Sequence, residues 1–187
     1  ILFRLTPAEI ARISVNSFGL PGVEVEARLV RHYPLGALMA HAVGSVRRIN
    51  EDDARRIDAV AYSGTNHIGK IGVERFYEPG LPGTVGYQRV ETDARGRVMK
   101  VLDATPPVPG GNLVLHVDSG LQQAASDALG DRRGTVGAID PSSGGILALV
   151  SKPSYDPNLF VAGIDYDTYS ALRDSVDVPL FNRAIQG

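Results

Sequence analysis

The side chains that could do chemistry in this chain are four histidines, a scatter of serines and many carboxylates. A histidine-based metal site needs two ligands one helical turn apart and further donors close by. His32, His41, His67 and His116 show no such spacing, and a structural hydrogen bond is the reading for His41. With no cysteine in the chain, thiolate catalysis, disulfides and thiolate metal sites drop out together. A serine nucleophile needs a base within reach, yet neither Ser-x-x-Lys nor Lys-Thr/Ser-Gly occurs, and Ser14-Val-Asn16 falls inside a predicted helix. Gly69-Lys-Ile-Gly72 has neither the spacing nor the ending of a P-loop. Pro141-Ser-Ser-Gly-Gly145 reads as an anion-binding nest or as a plain hairpin turn. The carboxylates form no pair that specifies acid–base work. The residues therefore predict no catalytic group, no cofactor and no metal.

The elements that would carry these side chains are readable from period and punctuation. Thr6-Pro7-Ala8-Glu9 combines an N-cap, a first-turn proline and a capping-box glutamate. Ile10, Ile13 and Phe18 give that helix an apolar side, and Gly19 is placed to end it in a left-handed conformation. Val23, Val25, Ala27 and Leu29 alternate with Glu24, Glu26 and Arg28, the period of a half-buried strand. Asn50 opens a short charged helix with Ala54 and Ile57 facing inward. Residues 85–92 and 97–102 flank Asp93-Ala-Arg-Gly96 as a hairpin. Thr105-Pro-Pro-Val-Pro-Gly-Gly111 is the strongest punctuation in the chain, and the domain boundary is placed there, between residues 1–107 and 108–187, each side with its own hydrophobic cluster. Beyond it come a strand at 113–117, a helix opened by a second capping-box pattern, Ser119-Gly-Leu-Gln122, and a hairpin of strands 135–140 and 146–151. Leu121, Ala124, Ala125, Ala128 and Leu129 form one helical face. The order is that of an α+β domain with a helix on an antiparallel sheet. That sheet has a face left bare, which predicts cover by another copy of the chain or low stability.

Lys and Arg number 19 against 21 Asp and Glu, a net charge of -2 with the signs interleaved. That excludes a clustered basic face for nucleic acid. No apolar run reaches the ~18–20 residues of a spanning helix.

Several motifs then align in order with a known family. Arg31-x-Tyr33-Pro34-x-Gly36 with His41-x-x-Gly44, then Ile68-Gly69-Lys-Ile-Gly72-Val-Glu74-Arg-Phe-Tyr77-Glu78, then Leu81-Pro-Gly83 and Gly86, resemble the non-catalytic module of class B penicillin-binding proteins. Leu115-His-Val-Asp118 with Leu121-Gln122, and Asp140-Pro-x-x-Gly-Gly-Ile-Leu-Ala148, are similar to the opening of their transpeptidase domain. Pro153-Ser-Tyr-Asp-Pro-Asn-Leu-Phe-Val161 and the stretch from Pro179 to Gly187 are most similar to the elongation-type branch, penicillin-binding protein 2. Ser45 departs from the aromatic usual after the glycine matching Gly44.

The resemblance implies a mostly-β pedestal module of the dimerisation type followed by the first strands and helix of a transpeptidase-like domain. It implies a parent that cross-links peptidoglycan stem peptides and binds β-lactams, on the periplasmic side of the inner membrane of a bacterial envelope. The chain is expected to stop just short of the Ser-x-x-Lys nucleophile, so that the catalytic groups lie outside it and it takes no acyl group from a penicillin. Implied partners are a SEDS-type, RodA-like glycosyltransferase and an MreC-like scaffold, with no nucleic acid. Arg31, Tyr33, Pro34, Gly36, His41, Gly69, Gly72, Glu74 and Tyr77 are the expected joints or partner contacts. Charge-assisted hydrogen bonds from Arg31, His41 and Glu74 would tie strands together. A division-type relative and a stand-alone envelope interaction module are the alternatives.

Overall fold

The computed structural model describes residues 5–23, 25 and 30–187. It divides the chain into two compact units, Ile1–His32 and Tyr33–Gly187. The strand expected around residues 23–29 rests mainly on Glu24 and Glu26–Leu29, which lie outside the described residues.

In the first unit, helix α1 (Pro7–Val15) starts as its sequence dictates. The Glu9 carboxylate accepts from the Thr6 amide at 2.7 Å, and Thr6 Oγ1 accepts from the Glu9 amide at 3.3 Å. Its end is different. The helix stops at Asn16, whose amide donates to the Arg12 carbonyl, and a 3-10 turn (Ser17–Gly19) follows. Phe18 thus lies beyond the helical stripe and is fully exposed, and α1 has no buried residue.

The second unit opens with α2 (Ala40–Val43), β1 (Ser45–Arg48), α3 (Glu51–Ala54), β2 (His67–Ile71) and α4 (Gly72–Phe76). β1 and β2 pair antiparallel, with Val46 opposite Gly69. They are too short and too charged to be read from sequence alone. Asn50 caps α3 in a reciprocal box with Asp53, and Asp53 also pairs with Lys70, which fastens α3 to β2. Ala54 is exposed, so only Ile57 of the two expected inward residues is partly covered.

Next comes a hairpin of β3 (Tyr87–Thr92) and β4 (Val98–Thr105). The Pro/Gly stretch after it is backbone-paired with the chain before it. Thr84 and Val108 exchange main-chain bonds of 2.8 and 2.9 Å, and the Gly111 amide donates to Gly80. The contact is too close for side chains: a Cβ at Gly83 would sit 2.0 Å from the Val108 carbonyl oxygen, and one at Gly110 1.8 Å from that of Leu81.

The last part holds α5 (Ser119–Leu129), β5 (Gly134–Ile139), β6 (Ile146–Lys152), α6 (Asn158–Val161), α7 (Tyr166–Arg173) and α8 (Arg183–Gln186). β5 and β6 form the expected hairpin, and α5 packs on them. No strand forms over 113–117; the chain joins β6 through the Asp118 amide, which donates to the Leu147 carbonyl at 2.9 Å. Asp118, not the expected Ser119, caps α5, its carboxylate accepting from the Leu121 amide at 2.8 Å, and the buried face of the helix is rotated from expectation. Gln122, Ala125 and Ser126 are buried, while Leu121, Ala124 and Ala128 are exposed. Gln122 wins its place by hydrogen bonding: Nε2 donates to the carbonyls of Leu38 and Leu149, both at 2.9 Å, and Oε1 accepts from the Leu149 amide at 2.8 Å. At the helix end, Arg132 donates to the carbonyls of Ala128 and Leu129 and Lys152 to that of Gly130. The negative end of the helix dipole favours these cations.

The result is a mixed α/β unit with small two-stranded antiparallel sheets. Its buried cluster of Ala40, Tyr155 and Phe160, flanked by Ile71, Ile164, Tyr169, Leu172 and Leu180, draws on both sides of the Pro/Gly stretch. Separate clusters on either side were expected. The short segments before the stretch bury little alone, and residues 153–180 supply what they lack. Among the described residues, no helix is long and apolar enough to cross a membrane.

Candidate functional site

The sequence-selected residues of the second unit gather where residues 33–48 and 67–78 meet residues 151–184. Tyr33 is buried, and its main chain is read by one side chain. Asn158 Oδ1 accepts from the Tyr33 amide and Asn158 Nδ2 donates to the Tyr33 carbonyl, both at 2.9 Å. The amide thus takes the place of a neighbouring strand. Asp156 Oδ1 accepts from Asn158 Nδ2 at 2.8 Å and holds it in position. At the other end of the ring, the Tyr33 hydroxyl accepts from the Val46 amide at 2.8 Å. Pro34 is exposed and leads into Gly36, whose φ of 45° turns the chain and whose amide donates back to Tyr33.

His41 lies at the centre of this seam, 8% exposed. Its ring meets Tyr155 edge-on at 5.4 Å, Tyr155 meets Phe160 at 5.6 Å, and the Arg47 guanidinium lies 4.1 Å from the Phe160 ring centre. Ser45 is fully buried and, with Arg47, favours the ionised Tyr155, but burial outweighs both and raises that phenol's pKa. The His41 carbonyl accepts from Asn182 Nδ2 at 3.0 Å. Burial pushes the His41 pKa down, the Arg183 cation adds to this, and the carbonyls of Pro153 and Pro179 oppose it. The ring is therefore held neutral at pH 7, which removes the charge-assisted bond expected of it. As pH falls through ~6.5, the unfolded chain takes up this proton before the folded one does. Stability should then fall by up to about 1.4 kcal/mol per pH unit until the folded-state pKa is reached. Urea unfolding of wild type and His41→Phe at pH 7.5 and 5.5 checks this, since only the wild type should weaken between them.

Around this centre the backbone is packed without side chains. Gly44 has φ 86° and ψ −153°, and a Cβ there would lie 1.9 Å from the Ile71 carbonyl oxygen. Gly72 answers it from the other side, with φ 64° and a would-be Cβ 2.8 Å from Gly44 Cα. A Cβ at Gly69 would strike the Glu74 carbonyl oxygen at 2.2 Å. The Gly69 amide donates to Glu78 Oε2 at 2.8 Å, and Glu78 Oε1 accepts from the Tyr62 hydroxyl at 2.9 Å. Burial first, then the hydrogen bond to Glu78 and its charge, push Tyr62 up to about 12. Glu74 is buried within α4. Tyr77 is exposed, stacked edge-on with Phe76 at 5.0 Å, and both rings line an open groove of about 220 Å3 with Pro79, Gly80, Gly111, Asn112 and Leu113. Arg31 is exposed and belongs to the first unit.

Sequence reasoning missed the bridging amides. Gln122, Asn158 and Asn182 tie distant segments together, alongside His67 Nε2 donating to the Val161 carbonyl at 2.8 Å and Ser154 Oγ to that of Ala37 at 2.7 Å. Their signal is faint, because an amide that pairs with backbone looks in sequence like any surface amide. In the 140–145 turn, the nest reading gives way to an internal anion. Asp140 accepts from Ser142 and Ser143, which hold its carboxyl down at about 2. Among the described residues no group of three His, Asp or Glu could hold a metal ion. The arrangement is a joint, built to fix backbone against backbone.

Residues 1–115 match the family described as the penicillin-binding protein dimerisation domain, so the chain belongs to that family. It is 50% identical over 187 residues to the peptidoglycan D,D-transpeptidase MrdA of Acinetobacter baumannii, an alignment covering 100% of this chain and 28% of that protein. Two solved structures are similar. The Pseudomonas aeruginosa PBP2 crystal structure with WCK 5153 is 52% identical with a TM-score of 0.74, over 86% of this chain and 32% of the other. The complex between PBP2 and MreC from Helicobacter pylori matches at 27% identity and a TM-score of 0.85, over 98% and 34%. The chain thus spans about three tenths of the length of the relatives it matches.

Proposed function

We propose that this chain is the non-catalytic, scaffolding portion of an elongation-type peptidoglycan D,D-transpeptidase, which cross-links cell-wall stem peptides outside the inner membrane. The observation that carries the reading is the 50% identity to MrdA along the whole chain. The joint described above suits the role, since it fixes one segment against another through main-chain contacts. The division into a pedestal at 1–107 and the start of a transpeptidase domain at 108–187 belongs to this reading. So does an MreC-like scaffold as partner, in keeping with the complex known for the Helicobacter relative. A RodA-like glycosyltransferase, stem peptides and β-lactams are partners and ligands of the whole enzyme in the same reading. Tyr33, Gly36, His41, Gly69, Gly72 and Glu74 act as joint residues, and the exposed Arg31, Pro34 and Tyr77 as partner contacts.

A chimera tests it. Acinetobacter MrdA carrying this chain in place of its aligned segment should keep rod shape when the native copy is depleted. Round cells, with the chimera at normal abundance and still labelled by a fluorescent β-lactam, would sink the reading.

A further inference from the structure

The cover over His41 is uneven. Ser126 of α5, residues 149–152 of β6 and the buried ring of Tyr155 make its solid part. The rest comes from the segment that runs from Pro179 to the end of α8. That helix buries no residue, and its Ile185 is 71% exposed. Few bonds hold the segment down. Asn182 Nδ2 donates to the His41 carbonyl and the Arg183 amide to Ser151 Oγ, both at 3.0 Å. Ser151 and His41 line one cavity of about 20 Å3, which has room for about one water. A charged imidazole there cannot be hydrated in place. It reaches water only if part of its cover moves, and a short, mostly exposed helix end opens at the least cost.

We propose that residues 179–187 form a proton-operated latch, docked on α2 and β6 while His41 is neutral and released when its ring is protonated. The charged groups on the elements around α2 are Arg47 of β1, Glu74 and Arg75 of α4, and Lys152 of β6. Arg47 lies over the Phe160 ring, and Lys152 is turned to the Gly130 carbonyl. Burial keeps the Tyr155 phenol neutral in this range. Arg183 is the charge that bears on the ring, and it belongs to the latch, so release separates the two cations. The Pro179 carbonyl that faces the ring leaves with it. A released His41 titrates near its ordinary ~6.5, while burial holds the docked ring below its ordinary value. As pH falls through ~6.5 the released form is therefore protonated first. Each further unit multiplies the ratio of released to docked by up to about tenfold, until the docked ring also titrates. The inference goes beyond the cell-wall reading and does not depend on it.

Amide hydrogen exchange of the 187-residue chain at pH 7.5 and 5.5, corrected for intrinsic rates, tests this. The Arg183 amide should lose protection by up to about tenfold between the two. The Leu149 amide, bonded to Gln122 Oε1, should keep its own. His41→Gln should show no acid-dependent loss at Arg183. Should that variant fail to fold, the wild-type chain gives a second readout by NMR. The His41 ring signals and the Arg183 amide signal should then titrate with one shared midpoint. Separate midpoints overturn the proposal. So does unchanged protection at Arg183, a loss at Leu149 equal to that at Arg183, or the same loss in His41→Gln.

Discussion

Replacing Gly44 by alanine should leave most of the chain unfolded at 37 °C. At φ 86°, ψ −153° the backbone is in a region that essentially only glycine occupies. The added methyl would also meet the Ile71 carbonyl oxygen at 1.9 Å. That oxygen belongs to the main chain at the β2–α4 junction, where Gly72 is itself pressed against Gly44, so no side chain can swing aside. Strain and clash together cost about 4 kcal/mol or more, a large part of the whole stability of a domain. Gly96→Ala is the control. It also has a positive φ, 78°, but nothing lies within 4 Å of its Cβ position, so about 1 kcal/mol is expected from conformation alone. Urea midpoints of the two variants measure the difference, and equal shifts would contradict the close packing of Gly44 on Ile71.

The second large effect is at Gln122. Its side chain is fully buried and makes three hydrogen bonds to the main chain of two other segments. Methionine keeps the shape but leaves the Leu149 amide and the carbonyls of Leu38 and Leu149 without that partner. At ~1–3 kcal/mol for each buried group left unsatisfied, Gln122→Met should cost on the order of 3–5 kcal/mol. Gln122→Glu separates donor from acceptor. A carboxylate still accepts from Leu149 but faces two carbonyls with negative charge. Burial raises its folded-state pKa, so the damage should shrink as pH falls from 8 to 5. Denaturation at both pH values checks the sign. A loss under 1 kcal/mol for methionine would mean that this amide holds nothing.

Local signals were legible where one or two residues decide the structure. The Thr6 capping box, the helix start at Asn50, the Asp93–Gly96 turn and the 140–145 turn all stand where residue chemistry alone puts them. What failed were judgements about faces. Apolar counting turned α5 toward Leu121 and Ala124, because a glutamine at position 122 does not look like a core residue until its three backbone partners are present. The strand expected at 113–117 has the right composition but meets β6 only at Asp118. Gly44, Gly69 and Gly72 were marked by the family resemblance, and their physical reason lies in how nearly two stretches of main chain touch. Sequence shows that a glycine is present, not what presses on it.

The amides of Asn158 and Asn182 fasten Tyr33 and His41 across 125 and 141 residues of chain. A ribosome adding ~5–20 residues per second makes the early partners of these bonds roughly ten seconds before the late ones. Throughout that interval Ala40 and Ile71 have no Tyr155 or Phe160 to lie against. The nascent first half is then an open client for holding chaperones, and it closes only when the segment from Tyr155 to Asn182 emerges. A stalled message ending before residue 155 makes that passing state permanent, and its product should be a target for proteolysis.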